Sequence, residues 1–160
     1  MTTILNKVDF KHQLKKELVE NILPFWMTYA VDKVNGGFYG AVTNDLQVRN
    51  EVPRSAILCA RILWTYAHAY RKLGTAQYLS MARWAYEYLT RDLWDQEYGG
   101  VYWQVDYQGA VISEHKHHYA QAFAMYGLTE YYRATQEPQS LKLAQTLFHL
   151  LEKYAYDPVY

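Results

Sequence analysis

The 160-residue sequence predicts an all-α fold, an α/α toroid in which pairs of helices repeat around an axis. Two observations lead to this prediction. Apolar residues recur every three to four positions in five separate stretches, which is the periodicity of amphipathic helices. A Gly-Gly segment between these stretches also recurs, 63 residues after its first occurrence, so that a unit of helix, glycine turn and helix is repeated along the chain.

The first helical stretch covers residues 10–29 and contains one proline near its end. Pro24 predicts a kink there, because proline lacks an N–H group and its ring clashes with the preceding turn. The sequence Asn35-Gly36-Gly37 then predicts a tight turn, and residues 38–42 have the composition of a short strand.

Two further helices are predicted over residues 55–73 and 76–93, separated by Gly74. The first of these is apolar almost all round, apart from Arg61 and two other polar residues. A helix that is apolar on every face is typical of a protein interior. We therefore expect this helix to be buried on all sides.

The second half of the chain predicts a strand pair followed by two helices. The strand pair covers residues 98–112 and turns at Gly109-Ala110. The helices cover residues 115–134 and 138–154, and the second has a proline in its first turn, where the missing N–H costs nothing.

The repeat has a period of 62 to 63 residues. Residues 32–39 align with residues 95–102, and a third copy starts at Asp157. The chain ends before the next Gly-Gly, at Tyr160. We therefore expect a protein that is longer than this chain, with Tyr160 inside its third repeat unit.

Composition excludes several classes of partner. The numbers of basic and acidic residues are equal, at 16 each, so no basic surface for nucleic acid or an anionic membrane is expected. No stretch is apolar enough for a membrane span or a signal peptide, and the single cysteine, Cys59, lies in an apolar helix as a core residue would. We expect a cytoplasmic protein.

The 17 tyrosines and 5 tryptophans favour a cavity that is both apolar and hydrogen-bonding, as carbohydrate sites are.

Arg61 and Tyr119 are the leading candidates for site residues. The Arg61 guanidinium lies within an apolar run and needs a carboxylate or a polar cavity. Its equivalent in the next repeat is Phe123, and Tyr119 precedes Phe123 by one helical turn. Repetition around an axis would direct Arg61 and Tyr119 into one central cavity. An internal ion pair for Arg61 and a packed Tyr119 is the alternative.

Other polar residues give weaker signals. His115, His117 and His118 invite a metal-site interpretation, but no second ligand group has matching spacing, so we expect no metal there and favour a proton carrier. Asp106 and Glu114 are possible acid or base groups. Two further acidic residues, Asp32 and Asp95, recur as turn residues.

Five motifs in the same order resemble the N-terminal part of the cellobiose 2-epimerases, which belong with the N-acylglucosamine 2-epimerases. They are Pro24-Phe25-Trp26, Asn35-Gly36-Gly37-Phe38-Tyr39-Gly40, Arg61-Ile62-Leu63-Trp64, Tyr98-Gly99-Gly100-Val101-Tyr102-Trp103, and Lys116-His117-His118-Tyr119 with Ala122-Phe123. The resemblance begins near Leu14 and covers less than half of a family member.

The resemblance implies an (α/α)6 barrel, of which residues 1–160 are the N-terminal portion of one catalytic domain. It implies epimerisation, without a cofactor, at C2 of the reducing-end glucose of cellobiose, mannobiose or a related β-1,4-linked disaccharide. One histidine removes the C2 proton and a second returns a proton to the opposite face of the enediolate. By motif, Arg61 is the arginine that stabilises the enediolate, and Tyr119 is a tyrosine that binds substrate.

The chain departs from the family pattern in one respect. The family's two catalytic histidines come from helices of the second half of the barrel, and none of His115, His117 and His118 matches them. We therefore expect the isolated chain to be inactive, to need the remainder of the barrel, and to self-associate through exposed apolar surface. Two alternatives remain open: a non-catalytic α/α module that binds protein or glycan, and an inverting glycosidase, which needs paired carboxylates at the cavity.

Overall fold

A computed structural model of the chain describes residues 7–157 and 159. This part of the chain is mostly helical, as predicted, with short strands in the loops before two of the helices. The helices are α1 (Lys7–Glu17), α2 (Leu23–Tyr29), α3 (Ala56–Leu73), α4 (Ala76–Tyr88), α5 (His118–Thr135) and α6 (Pro138–Tyr154). None of the helices in the described residues is long and apolar enough to cross a membrane.

A π segment (Leu18–Ile22) joins α1 to α2, so the two form one continuous helical rod. Within it the Leu23 amide donates to the Leu18 carbonyl, five residues earlier. This wider turn stands just before Pro24, where the sequence predicts a kink, and it gives room for the proline ring. A second π segment (Leu89–Leu93) extends α4 to the end of the predicted helix over residues 76–93.

The strands are short and antiparallel. Strand β1 (Ala41–Val42) pairs with β2 (Val48–Arg49), so the predicted strand at 38–42 is reduced to its last two residues. A second sheet has the order β3 (Arg54–Ser55), β4 (Gln104–Val105) and β5 (Val111–Ser113). The sequence patterns do not predict β3. It joins the start of α3 to the hairpin that precedes α5.

Helix α3 is the centre of the fold and packs against both α4 and α5, while α6 covers α5. Gly127 of α5 lies against α3 so closely that an added Cβ would come within 2.7 Å of the Ala60 carbonyl oxygen. Leu63 and Ala67 of α3 are fully buried in the same core. Cys59 is also buried, as predicted, and burial raises the pKa of its thiol.

The expectation that α3 is buried on all sides is wrong. Cys59 and Leu63 face the core, but Arg61 on another face is exposed. This face of α3 lines an open groove beside α2 and, within the described residues, no element covers it. Neighbouring helices, and not the composition of α3, decide which of its faces are buried.

The repeat is present in the hydrogen bonds as well as in the sequence. The Asp32 amide donates to the Gly37 carbonyl at 3.1 Å, and the Asp95 amide donates to the Gly100 carbonyl at 2.8 Å. At the start of the third copy the Val159 amide donates to Asp157 Oδ1 at 2.8 Å, as the Val34 amide does to Asp32 and the Glu97 amide does to Asp95. Pro158 and Tyr160 of this third copy lie outside the described residues.

Candidate functional site

The candidate site lies along the exposed side of α3 and reaches the start of α5. A cavity of about 440 Å³ opens between α2 and α3. Its lining is largely apolar and includes Leu23, Trp26, Leu58 and Ile62. The lining residues that carry polar groups are Ser55, Arg61, Thr65 and Tyr66. An apolar cavity with few polar groups is the usual form of a small-ligand site.

Arg61 and Tyr119 both lie beside one phenylalanine, Phe123. The Arg61 guanidinium carbon lies 5.8 Å from the centre of the Phe123 ring. The Tyr119 ring meets the same ring edge-on, with 4.8 Å between the two centres. Tyr119 is 60% exposed, and Arg61 is exposed as well, so both side chains are accessible to a ligand. The cavity between α2 and α3 is lined by Arg61 and not by Tyr119, so the single central cavity expected for the two residues stays a prediction. The buried environment expected for Arg61 is not found.

An aromatic column continues from Phe123 down the contact between α3 and α5. Tyr126 packs edge-on against Phe123, and its other neighbour, Trp64, stacks on it at 4.8 Å with the rings 11° from parallel. His68 stacks on Trp64 at 4.7 Å, also at 11°. No sequence motif predicted this column. The sequence feature that could have predicted it is the spacing of four residues between Trp64 and His68, which places both on one face of α3.

The column ends at Glu130, a carboxylate that is almost completely buried. Glu130 accepts hydrogen bonds from Arg71 at 2.5 Å and Arg133 at 2.9 Å, and lies 2.9 Å from His68 Nδ1. Burial acts to raise the pKa of Glu130, but the bonds from Arg71 and His68 outweigh it, and the pKa is lowered. Glu130 therefore remains ionised and holds the lower end of α3 against α5.

The two recurring aspartates hold the Gly-Gly turns, in agreement with the turn interpretation. Asp32 Oδ1 accepts from the amides of Val34 and Asn35, and Asp95 Oδ1 accepts from the amides of Glu97 and Tyr98. Each aspartate is buried and also binds one cation through its other oxygen. The cations are Arg54 for Asp32, at 3.0 Å, and Lys116 for Asp95, at 2.6 Å. Neither cation was predicted from the sequence, although the two positions lie 62 residues apart and so follow the repeat.

The histidines near the start of α5 do not gather into one group of possible metal ligands. The His117 ring lies 4.3 Å from the Trp103 ring and 5.8 Å from the His115 ring, counted between ring centres. In the part of the chain that the structure describes, no group of three or more histidine, cysteine, aspartate or glutamate residues could hold a metal ion. His118 lies apart from this pair, in a small pocket between α5 and α6.

The two acidic candidates for acid or base chemistry are not brought together by any contact in the described residues. Asp106 Oδ1 accepts from the amides of Gln108 and Ala110, so this carboxylate holds its own hairpin turn. Glu114 is exposed. The site is therefore organised around an arginine and a tyrosine and not around paired carboxylates.

Comparison with known proteins places this arrangement in a family. Residues 36–159 match the family described as N-acylglucosamine 2-epimerase (GlcNAc 2-epimerase). The cellobiose 2-epimerase of Bacteroides fragilis is 46% identical over 147 residues, a match that covers 92% of this chain and 38% of that protein. The chain thus spans well under half the length of this relative.

Solved structures agree with the family match. The structure of cellobiose 2-epimerase from Bacillus thermoamylovorans superposes with a TM-score of 0.90 at 42% identity, covering 93% of this chain and 38% of that chain. A GH76 α-mannanase from Bacteroides thetaiotaomicron superposes with a TM-score of 0.77 at 20% identity, over 95% of this chain and 41% of the mannanase. That second likeness concerns the fold alone. The described residues form one segment of an (α/α)6 barrel, and the chain belongs to the N-acylglucosamine 2-epimerase family.

Proposed function

We propose that this chain provides one sector of the active site of a sugar 2-epimerase. The substrate would be a β-1,4-linked disaccharide such as cellobiose, and the reaction would exchange the glucose and mannose configurations at C2 of its reducing-end residue. One observation carries the proposal: Arg61 and Tyr119, from neighbouring helices, converge on Phe123 beside an open cavity. This arrangement supplies a cation and a phenol hydroxyl beside an apolar ring.

The role proposed for Arg61 is to stabilise negative charge during the reaction. Removal of the C2 proton from the open-chain aldose gives a cis-enediolate, which carries its charge on the oxygens at C1 and C2. A guanidinium stays protonated at all physiological pH values and offers several N–H donors in one plane. Among the described residues Arg61 has no acidic partner, so its charge is available for such an oxyanion.

Tyr119 and Phe123 would hold the sugar. The Phe123 ring offers an apolar surface on which the C–H face of a pyranose can pack, and the exposed Tyr119 hydroxyl can donate to or accept from a sugar hydroxyl. The proposal needs no cofactor. It requires two histidines, one on each face of C2, which we assign to the part of the barrel that this chain does not match.

A chimeric protein tests the proposal directly. This chain would replace the matching N-terminal part of the Bacteroides fragilis cellobiose 2-epimerase, to which it is 46% identical. The chimera, its Arg61→Ala variant and its Arg49→Ala variant would be assayed with cellobiose, and the mannose-terminated product would be separated by chromatography. Arg49 is a matched control because it is an exposed arginine on β2.

We expect the chimera to form product and the Arg49→Ala variant to match it. The Arg61→Ala variant should lose at least about 100-fold in kcat, the usual effect of removing an oxyanion donor. A folded chimera that forms no product, or full activity without Arg61, would contradict the proposal. The isolated chain should form none, and product from it would contradict the assignment of the histidines to the rest of the barrel.

A further inference from the structure

Tyr119 stands between two side chains that tie the start of α5 to the Gly-Gly turn before it. Lys116, three residues earlier, donates from Nζ to Asp95 Oδ2 at 2.6 Å and to the Gly99 carbonyl at 3.1 Å. The Lys116 ammonium also lies 4.5 Å from the centre of the Tyr102 ring. These contacts hold the residue that leads into α5 against the turn formed by residues 95–100.

Gln121, two residues after Tyr119, makes a second attachment to the same segment. Its amide nitrogen donates to the Val101 carbonyl at 2.7 Å, and its amide oxygen accepts from the Val101 N–H at 2.8 Å. Gln121 is 3% exposed, so both bonds are shielded from water. Gly100 gives the amide its space, because an added Cβ would lie 2.8 Å from Gln121 Oε1.

The start of α5 needs such attachments because it has no side-chain cap. His117 at the N-cap makes no side-chain hydrogen bond to the first turn. In α3, by contrast, the Ser55 hydroxyl accepts from the Ile57 amide at 3.2 Å. An uncapped first turn frays readily. The direction of Tyr119, which lies in that turn of α5, therefore depends on contacts outside the helix.

The first repeat shows which attachment is general and which is particular to α5. Arg54 occupies the position equivalent to Lys116, binds Asp32, and lies 5.5 Å from the centre of the Tyr39 ring. The position equivalent to Gln121 is Cys59, whose thiol contacts the Ala85 carbonyl on α4 instead. A cation bound to the turn aspartate thus occurs in both repeats. The side-chain amide that forms hydrogen bonds with Val101 belongs to α5, the helix that carries Tyr119.

We propose that Lys116 and Gln121 are positioning residues for Tyr119. Together they attach the first turn of α5 to the segment of residues 95–101, so that the Tyr119 ring meets Phe123 beside Arg61. The Asp95 carboxylate is the ionic partner that holds Lys116 in this arrangement. Burial acts to raise its pKa, but the bonds from Lys116 and the two turn amides outweigh it and hold the pKa at about 2, so the carboxylate stays charged. The consequence for sugar binding rests on the proposed function, whereas the consequence for Tyr119 itself does not.

The first test observes Tyr119 in the chain as it is. NMR spectra of protein labelled with ¹³C-tyrosine would be recorded for Lys116→Met, Gln121→Met and Lys116→Arg, with the Tyr119 signal assigned from Tyr119→Phe. Lys142→Met is the control, since Lys142 is an exposed lysine of α6. The two Met variants should shift or broaden the Tyr119 signal and speed amide exchange in the first turn of α5. Lys116→Arg should restore the wild-type signal, and Lys142→Met should leave it unchanged.

An unchanged Tyr119 signal in both Met variants would overturn the inference, even if the variants unfold more easily. The same variants in the chimera give the functional readout. A positioning role predicts a KM for cellobiose raised about tenfold or more in Lys116→Met, recovered in Lys116→Arg, since misplacement of about 1 Å can cost that much or more. A chimera that is inactive in every form would refute the proposed function, while the NMR result would still decide the role of Lys116 and Gln121.

Discussion

At the scale of single residues, Glu130 forms more side-chain ion pairs than any other of the described residues. Its carboxylate is 3% exposed and contacts Arg71, Arg133 and His68, whose side chains remain 26%, 56% and 35% exposed. The buried member of this cluster is therefore the acid, and the two arginines keep part of their hydration. Removing the acid would leave positive charges facing one another across the contact between α3 and α5.

Glu130→Gln should consequently lower the free energy of unfolding by about 2 kcal/mol or more. Urea unfolding followed by circular dichroism measures the change. Glu152→Gln is the matched control, because Glu152 is an exposed acid on α6, and its effect should stay within about 0.5 kcal/mol. Equal losses in the two variants would show that the cluster around Glu130 adds no stability.

At the scale of elements, one Gly-Gly turn lies between α2 and α3 and the other lies between α4 and α5. Gly37 has a φ of +66° and lies so close to Tyr88 that an added Cβ would come within 2.5 Å of its ring. Tyr88 is 3% exposed, so its ring is surrounded by packed neighbours. The glycine thus serves both the left-handed backbone and the contact between the turn and α4.

Gly37→Ala and Gly74→Ala separate these two requirements. Gly74 ends α3 with a φ of +71°, but nothing lies within 4 Å of its added Cβ. Gly74→Ala should therefore cost about 1 kcal/mol for the backbone alone. Gly37→Ala should cost about 1–3 kcal/mol more, because the buried ring must shift. Thermal unfolding of the two variants provides the comparison, and similar melting temperatures would contradict the role of the Tyr88 contact.

At the scale of the whole molecule, three buried carboxylates make the free energy of unfolding depend on pH. In Asp32, Asp95 and Glu130, burial acts to raise the pKa, but hydrogen bonds and cations outweigh it and the pKa is lowered in each case. A carboxyl with a lowered pKa in the folded protein stabilises the fold above its unfolded pKa. That stability is lost as the pH falls through the folded pKa.

The free energy of unfolding should therefore change little between pH 7 and pH 5 and fall as the pH drops from about 4 towards 2. The lower limit follows from Asp95, whose folded pKa is about 2. Urea unfolding at a series of pH values measures the profile, and Asp95→Asn should flatten it. A stability that rises as the pH falls through this range would have the opposite sign and would contradict the assignment.

The whole molecule also exposes apolar side chains in quantity. On the rod formed by α1, the first π segment and α2, the exposed apolar side chains include Phe10, Leu14, Leu18, Ile22 and Phe25. Exposed apolar surface of this kind favours association. The self-association expected from the sequence stays a prediction, and light scattering at increasing protein concentration would measure it.

The sequence by itself determined the elements that depend on local chemistry. Gly74 ends α3 and Pro138 starts α6 as expected, because backbone preferences act over one or two residues. The repeat also predicted that Arg61 and Tyr119 face one cavity, since equivalent positions on equivalent helices face the same way, and both residues lie beside Phe123. The π segment before Pro24 was predicted only as a kink, because the way a helix accommodates a proline ring depends on the surrounding turns.

Only the tertiary structure decided which side chains meet across the packed elements. Asp32 and Arg54 are 22 residues apart and His68 and Glu130 are 62 apart, so no local pattern marks them as partners. The exposure of Arg61 likewise depends on which helices cover α3. Side-chain contacts between helices are set by the crossing and separation of the helices, and these depend on the whole core. The sequence therefore identified the helices that carry the site, and their packing determined the surroundings of each side chain in it.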